Sequence, residues 1–334
     1  MLDDRRSVVL QALVEEYIRT GQPVSSSSIL ANSGLEVSSA TIRNDLAKLE
    51  SYGFVHQPHT SAGRVPTPGG YRYYVDHCSP ARLRIATRAR IEGFFAEVHQ
   101  ELSKLLKETT SLLSDVSHYP SVVIGPGLGQ ETVHGVYLVQ LATSVILAVI
   151  VAESGRVSRE IVRLQVEPTP AELESAESMV ERLYSGRTIS EARAAGIEVT
   201  PADASDRVAH LVTSISNALA KAEGSSSDIY VGGTSQLAAL WEDLANVSSV
   251  LGILEEDAAL RGMLGEDMSE GTTVRIGAEL NVSDVDLAVV STTYGAGDQG
   301  SGRVGVIGPM RMDYRRTIKI VEEVGDGLAD SLGT

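Results

Sequence analysis

A chain of 334 residues has room for about two or three cores. Its hydrophobic content of 43%, charged content of 22% and single cysteine exclude a disordered chain and a disulfide scaffold, and one thiol fits a reducing compartment. The net charge of −16 excludes a cationic coat over the whole surface, yet residues 1–90 hold 11 Lys/Arg against 8 Asp/Glu while the remainder holds 17 against 36.

The N-terminus, "MLDDRRSVVLQALVEEY", places acids first and has no apolar core, so no secretory signal is expected and the setting is cytoplasmic. A first helix is predicted over Arg5 to Thr20, with an apolar stripe of Val9, Leu10, Leu13, Tyr17 and Ile18, and Gly21 as its C-terminal cap. A short second helix runs from Ser26 to Asn32, stopped by Gly34. A third begins after Ser38 or Ser39, either a good N-cap, and runs to Tyr52 with Gly53 closing it. Two short helices joined by a tight turn, with a helix before them, form a helix-turn-helix arrangement.

At about 100° per residue, Ile42, Leu46 and Leu49 of helix three face the core. Ala40, Thr41, Asn44, Ala47 and Lys48 lie opposite, with Ser39 and Arg43 on the flanks. Small residues permit close approach to a DNA groove, and Thr, Asn, Lys and Arg can reach base edges or phosphates. An ordinary solvated helix face carries the same residue types, so helix three alone leaves both readings open.

The next stretch, "FVHQPHTSAGRVPTPGGYRYYVD", supplies a strand at Phe54–Gln57, a tip "PHTSAG" and a return at Arg64–Pro66. A helix-turn-helix followed by strand, loop and strand is a winged helix. His59, Thr60 and Ser61 at the tip are expected along a DNA backbone, anchored by Arg64. Thr67 then caps a helix with Pro68 at its first position. Tyr71, Tyr73 and Tyr74 belong to that helix and are expected to be mostly structural. His56, His59, His77 and Cys78 are zinc-ligand types. However, the first pair is a bare HxxH and the second is adjacent on a helix end, pointing in different directions. No metal and no cofactor are expected.

Residues 79–118 read as a helical connector in two pieces, led by Arg82, Arg84, Arg88 and Arg90. Gly135 to Ala152 is uncharged for eighteen residues, long enough to raise a membrane span. Its Val and Ile content, the interruption at Thr143–Ser144 and the turn-like "ESGR" favour two buried strands. From Glu167 to Ser227 the chain is helical and acidic, with cap signals at Thr169–Pro170 and Thr200–Pro201. Strands resume at "DIYVGG" and are expected near Thr273–Ile276, Val285–Ser291 and Arg303–Ile307. A last helix carries Tyr314, Ile318, Val321, Val324 and Leu328 on one face. The layout is an α+β multidomain chain: a winged helix-turn-helix over 1–78, a mixed α/β body over 119–166 and 228–334, and a helical insertion over 167–227.

Gly295, Gly297 and Gly300 form a literal GxGxxG, but "SGRVGVIG" follows, a strand pattern where a dinucleotide site needs a helix. Gly125, Gly127 and Gly129 fail in the same way. No nucleophile–base set stands out, and no enzyme is expected. A ligand-sensing regulator, with a small molecule in the α/β body, is the alternative.

"SSATIRNDLAKLESYGFVHQPHTSAGRVPTPGGYRYYVD" (Ser38–Asp76) closely resembles a signature of the heat-inducible transcription repressor family HrcA. "GRVGVIGPMRMDYRRTIKIVEEV" (Gly302–Val324) resembles that family's second signature, and "LDDRRSVVLQALVEEYIRTGQPV" its first helix. The chain departs from the family at Ser25–Ser28, where Gly, Ser and then a basic residue are usual. The resemblance implies a homodimeric repressor with a GAF-like body and a dimerising inserted domain. Its partners would be an inverted-repeat operator in double-stranded DNA and a GroEL-type chaperonin, with release on heat stress. The operator would precede chaperonin and DnaK-class chaperone genes, and the bound protein would sit on the nucleoid.

Overall fold

The computed structural model describes residues 2–59, 62–96, 101–127, 129, 131–153, 155–194, 205–225, 228–241, 243–265, 271–282, 286–295 and 301–333. It is a mixed α and β chain that divides into two compact units. The first comprises Met1–Val123, Tyr230–Thr293 and Arg303–Gly327, and the second Ile124–Ile229, Tyr294–Gly302 and Leu328–Thr334.

The first unit opens with α1 (Asp4–Thr20), α2 (Ser26–Ser33) and α3 (Ser39–Ser51). Each has the ends its sequence specifies. Asp3, Ser25 and Ser38 accept backbone N–H bonds at the three N-termini, and Gly21 and Gly34 close the first two helices at φ 65° and 66°. Val9, Leu10, Leu13, Val14, Ile29, Ile42, Leu46 and Leu49 form the buried centre, while Tyr17 and Ile18 are only half-buried.

Strands β1 (Val55–His56) and β2 (Val65–Pro66) pair antiparallel, Val55 opposite Pro66 and His56 opposite Val65. Arg64 bridges back to Val24, ahead of α2. A side chain on Gly63 would put Cβ 2.3 Å from the Val24 carbonyl oxygen, so only glycine lets the return strand close here. Helix α4 (Pro68–His77) follows, capped by Thr67, with Tyr71 and Tyr74 buried. The connector is α5 (Ile85–Phe95) and α6 (Leu102–Ser117).

The sheet of the C-terminal half has the order β7-β3-β10-β9-β8. Its strands are β3 (Ser121–Ile124), β7 (Ile229–Gly232), β8 (Thr272–Ile276), β9 (Leu287–Gly295) and β10 (Ser301–Pro309). Helices α10 (Leu237–Leu240), α11 (Leu244–Leu254) and α12 (Asp257–Leu264) fall between β7 and β8, and α13 (Tyr314–Leu332) follows β10. Tyr314, Ile318, Val321, Val324 and Leu328 are buried along α13, the face expected from its period. A strand, not a helix, follows the glycine-rich stretch after β9; Gly297 and Gly300 lie outside the described residues, as do Val285, Thr200 and Pro201.

The second unit is built on β4 (Val133–Ala142), β5 (Val145–Ala152) and β6 (Val157–Arg163), antiparallel in the order β4-β5-β6. The uncharged run Gly135–Ala152 is thus a hairpin turning at Thr143–Ser144. Among the described residues no helix is long and apolar enough to cross a membrane. Helices α7 (Pro170–Tyr184), α8 (Ile189–Ala194) and α9 (Asp206–Ser225) share its core. Thr169 and Glu172 start α7 with a reciprocal capping box.

Residues 119–166 and 228–334 are expected to form one body; β4–β6, apart from the five-stranded sheet, pair as a sheet of their own. The inward residues of its alternating strands (Val136, Leu138, Ile146, Ile150, Val162) are buried in one cluster with Val180, Leu183, Val212 and Ile215. Helices α7–α9 thus share a core with this three-stranded sheet, and of β3–β6 only β3 joins the five-stranded sheet.

Candidate nucleic-acid interface

Helix α3 is fixed from behind by charge. Asp45, only 2% exposed, accepts from Arg5 Nε at 2.7 Å and a second Arg5 nitrogen at 3.0 Å. Arg6 Nε donates to it at 3.3 Å. The clamp ties the start of α1 to the middle of α3. The hydrogen bond from Arg5 is the largest influence on the Asp45 carboxyl, and with the charges of Arg5 and Arg6 it outweighs burial and holds the group below the usual carboxylate range.

A folded pKa below the unfolded value stabilises the protein above the unfolded pKa, near 4, and that stabilisation is lost as pH falls through the folded pKa. Asp45→Asn is therefore expected to cost about 2–3 kcal/mol at pH 7 by urea denaturation, the scale of lost charge-assisted hydrogen bonds. The difference from the native chain should narrow below about pH 4. Equal stabilities at pH 7 would contradict the clamp.

Two further carboxylates position the elements around α3. Glu16 accepts from Arg19 at 2.7 Å, Ser28 Oγ at 3.2 Å and Asn32 Nδ2 at 3.1 Å, which fastens α2 to α1. Glu50 accepts from the Gln57 backbone N–H at 3.1 Å and Arg64 Nε at 3.1 Å, which fastens the β1–β2 hairpin to α3.

The outward face of α3 matches the helical wheel. Ala40, Arg43, Asn44, Ala47 and Lys48 are exposed, while Ile42, Leu46 and Leu49 are buried. Ser39 is half-buried, its hydroxyl 3.0 Å from Ser26 Oγ. Thr41 is half-buried, its hydroxyl 2.9 Å from Ser38 Oγ. His59 is exposed at the hairpin; Thr60 and Ser61 lie outside the described residues. The serine run is used internally: Ser25 caps α2, Ser26 meets Ser39, and Ser28 meets Glu16.

Arg64, expected to anchor the wing from its return strand, is half-buried and ion-paired to Glu50 at 3.0 Å, so its guanidinium fastens the hairpin to α3. The ligand-type residues also have other surroundings. The His77 ring stacks on Tyr73 with centroids 4.0 Å apart, and Cys78 Sγ points at the Val75 carbonyl. Among the described residues, no three His, Cys, Asp or Glu side chains gather to hold a metal.

The sequence reading missed Asp45 and Glu50. For Asp45 a signal was available: an acid inside the apolar stripe, next to Leu46 and four before Leu49. A buried carboxylate is tolerable there only with a cationic partner in hydrogen-bond reach.

Residues 103–318 match the family model described as the HrcA protein C-terminal domain. The chain is 34% identical over 336 residues to a heat-inducible transcription repressor HrcA of Symbiobacterium thermophilum, spanning 99% of this chain and 98% of that protein. It is 33% identical over 341 residues to the repressor of that name from Halalkalibacterium halodurans, again spanning 99% and 98%. A crystal structure described as a hypothetical protein at 2.2 Å resolution is 27% identical, with a TM-score of 0.60 over 99% of this chain and 98% of that one. The chain belongs to the HrcA family of heat-inducible transcription repressors.

Proposed function

We propose that residues 1–78 are a winged helix-turn-helix reading head that binds an inverted-repeat operator in double-stranded DNA as half of a homodimer. One observation carries this. Within residues 1–78, Arg5, Arg6, Arg19, Arg64 and Arg72 all form ion pairs. Arg43 and Lys48 form none among the described residues, and both are exposed on the outward face of α3 beside Asn44. A segment that pairs these arginines internally and leaves two cations free on the outward face of α3 is suited to phosphate and base contact. Ser39, Thr41, Arg43, Asn44 and Lys48 would meet DNA from the helix, and His59, Thr60 and Ser61 from the wing. Arg64 would hold the wing in place through Glu50.

In this reading the five-stranded sheet and its helices are the GAF-like body, residues 79–118 connect it to the head, and the β4–β6 unit is the inserted dimerisation domain. The outward face of its sheet supports that role. Tyr137, Val139, Leu141, Val157 and Ile161 are exposed there, although one face of such a sheet is ordinarily polar. Repression is by occupancy in the cytoplasm, on the nucleoid, ahead of chaperonin and DnaK-class chaperone genes. A GroEL-type chaperonin maintains the active form, and heat, by diverting it, releases the operator.

The test is a mobility-shift titration at fixed salt with an inverted-repeat library and scrambled DNA. Selected inverted repeats are expected to bind about 10³-fold or more tighter than scrambled sequence. Equal affinities would end this reading.

A further inference from the structure

We infer that the C-terminal half holds the reading head in one pose through Arg72 and Arg315, and that this docking, by removing a hinge between head and body, narrows the range of operator half-site spacings the protein accepts. The inference rests on the DNA-binding reading above. Its starting point is that the head does not stand alone: Met1–Val123 and the segments Tyr230–Thr293 and Arg303–Gly327 form one compact unit.

The contacts are specific. Arg72, on α4, donates from Nε to Glu279 at 2.9 Å and from a terminal nitrogen to the other Glu279 oxygen. The same nitrogen reaches the Val274 carbonyl of β8 at 2.6 Å. A guanidinium held by both oxygens of one carboxylate and a strand carbonyl is fixed in direction as well as in place. Arg315, on α13, donates to Glu15 of α1 at 3.2 Å and to the Ser79 carbonyl at 2.9 Å, and its own carbonyl accepts from Ala81 N–H at 2.8 Å. The start of the connector is thereby pinned and cannot act as a free hinge. Between these two contacts lies an apolar centre: the rings of Tyr71 and Tyr314, both buried, are 6.0 Å apart. The two stretches that carry the family resemblance, Ser38–Asp76 and Gly302–Val324, meet here.

The docking uses α4 and the later part of α1. It leaves Arg43, Asn44 and Lys48 exposed, so a head in this pose can still read DNA. Adding one base pair between half-sites moves the second by about 3.4 Å and turns it by about 35°. A tethered head absorbs such a change freely; a docked head has given up that freedom. Arg72 and Arg315 are therefore positioning residues that act on spacing without touching DNA.

The experiment measures full-length protein on the selected operator, on operators with one or two base pairs inserted or deleted at the centre, and on an isolated half-site. The native chain is expected to lose about tenfold or more on each altered spacing. R72E and R315A should keep half-site affinity within about twofold, weaken on native spacing, and discriminate less among spacings. The charge swap R72E/E279R should recover discrimination. Variants as selective among spacings as the native chain would overturn the inference. So would equal loss on half-site and full operator, the mark of a merely structural contact. Absence of any inverted-repeat preference in the native chain would instead remove the DNA-binding reading itself.

Discussion

With the proposed subunit contact on the β4–β6 face, Leu147→Lys is expected to leave the protein a monomer and to lower affinity for a full operator by about 10²–10⁴-fold, the gain that linking two half-site contacts gives. The position follows from strand register. Leu147 on β5 stands opposite Val139 on β4 and opposite Ile161 on β6. Val139 and Ile161 are 48% and 55% exposed, so this row crosses the middle of the outward face. The neighbouring row is Tyr137, Val149 and Arg159, so the cations lie toward the β6 margin. The opposite face is occupied, since Ile146, Ala148 and Ile150 are buried in the core shared with α7 and α9. A sheet apolar on both faces gains stability when the second is covered. A lysine at its centre would bring an unpaired ammonium into that contact, which costs several kcal/mol. Light scattering at micromolar concentration reads the mass, and half-site affinity confirms an intact head. A variant that keeps the dimer mass would place the subunit contact elsewhere.

The first four helices could be read from sequence because their signals are local. Caps at Ser38 and Thr67, left-handed glycines after α1 and α2, and a period in α3 each act within a few residues. The hairpin followed from strand patterns flanking a turn-rich tip. Arg64 was legible only as a cation on that hairpin. Its partner, Glu50, belongs to the helix before the turn and meets it only after the hairpin folds back.

Long-range association was not legible. The segments within 133–163 and within 272–309 both read as short apolar strands, and nothing local says which sheet they join. The partition was decided by helices α7 and α9, whose apolar faces match β4–β6. The Arg72–Glu279 contact joins residues 207 apart, and neither has a local pattern that names the other. The outward apolar face was visible as a hydrophobic run, but its exposure depends on which side the helices cover.

On DNA, four single substitutions should separate into three behaviours. Asn44→Ala is expected to lose about 1–3 kcal/mol of discrimination at one base position per half-site, with little change on scrambled DNA, because an amide reads a base edge. Arg43→Ala and Lys48→Ala should weaken all sequences alike. Each should flatten the dependence of log affinity on log salt by about one unit per lost phosphate contact, hence about two per dimer. Arg64→Ala is distinguished by its ion pair: with Glu50 3.0 Å away, the guanidinium is already neutralised in the free protein. Its removal should lower thermal stability by about 1 kcal/mol and weaken binding through a looser wing, while the salt slope stays unchanged. If Arg64→Ala flattens the slope as Lys48→Ala does, the arginine leaves Glu50 on binding to take up a phosphate, and Glu50→Gln should then tighten DNA binding, since it frees the guanidinium beforehand.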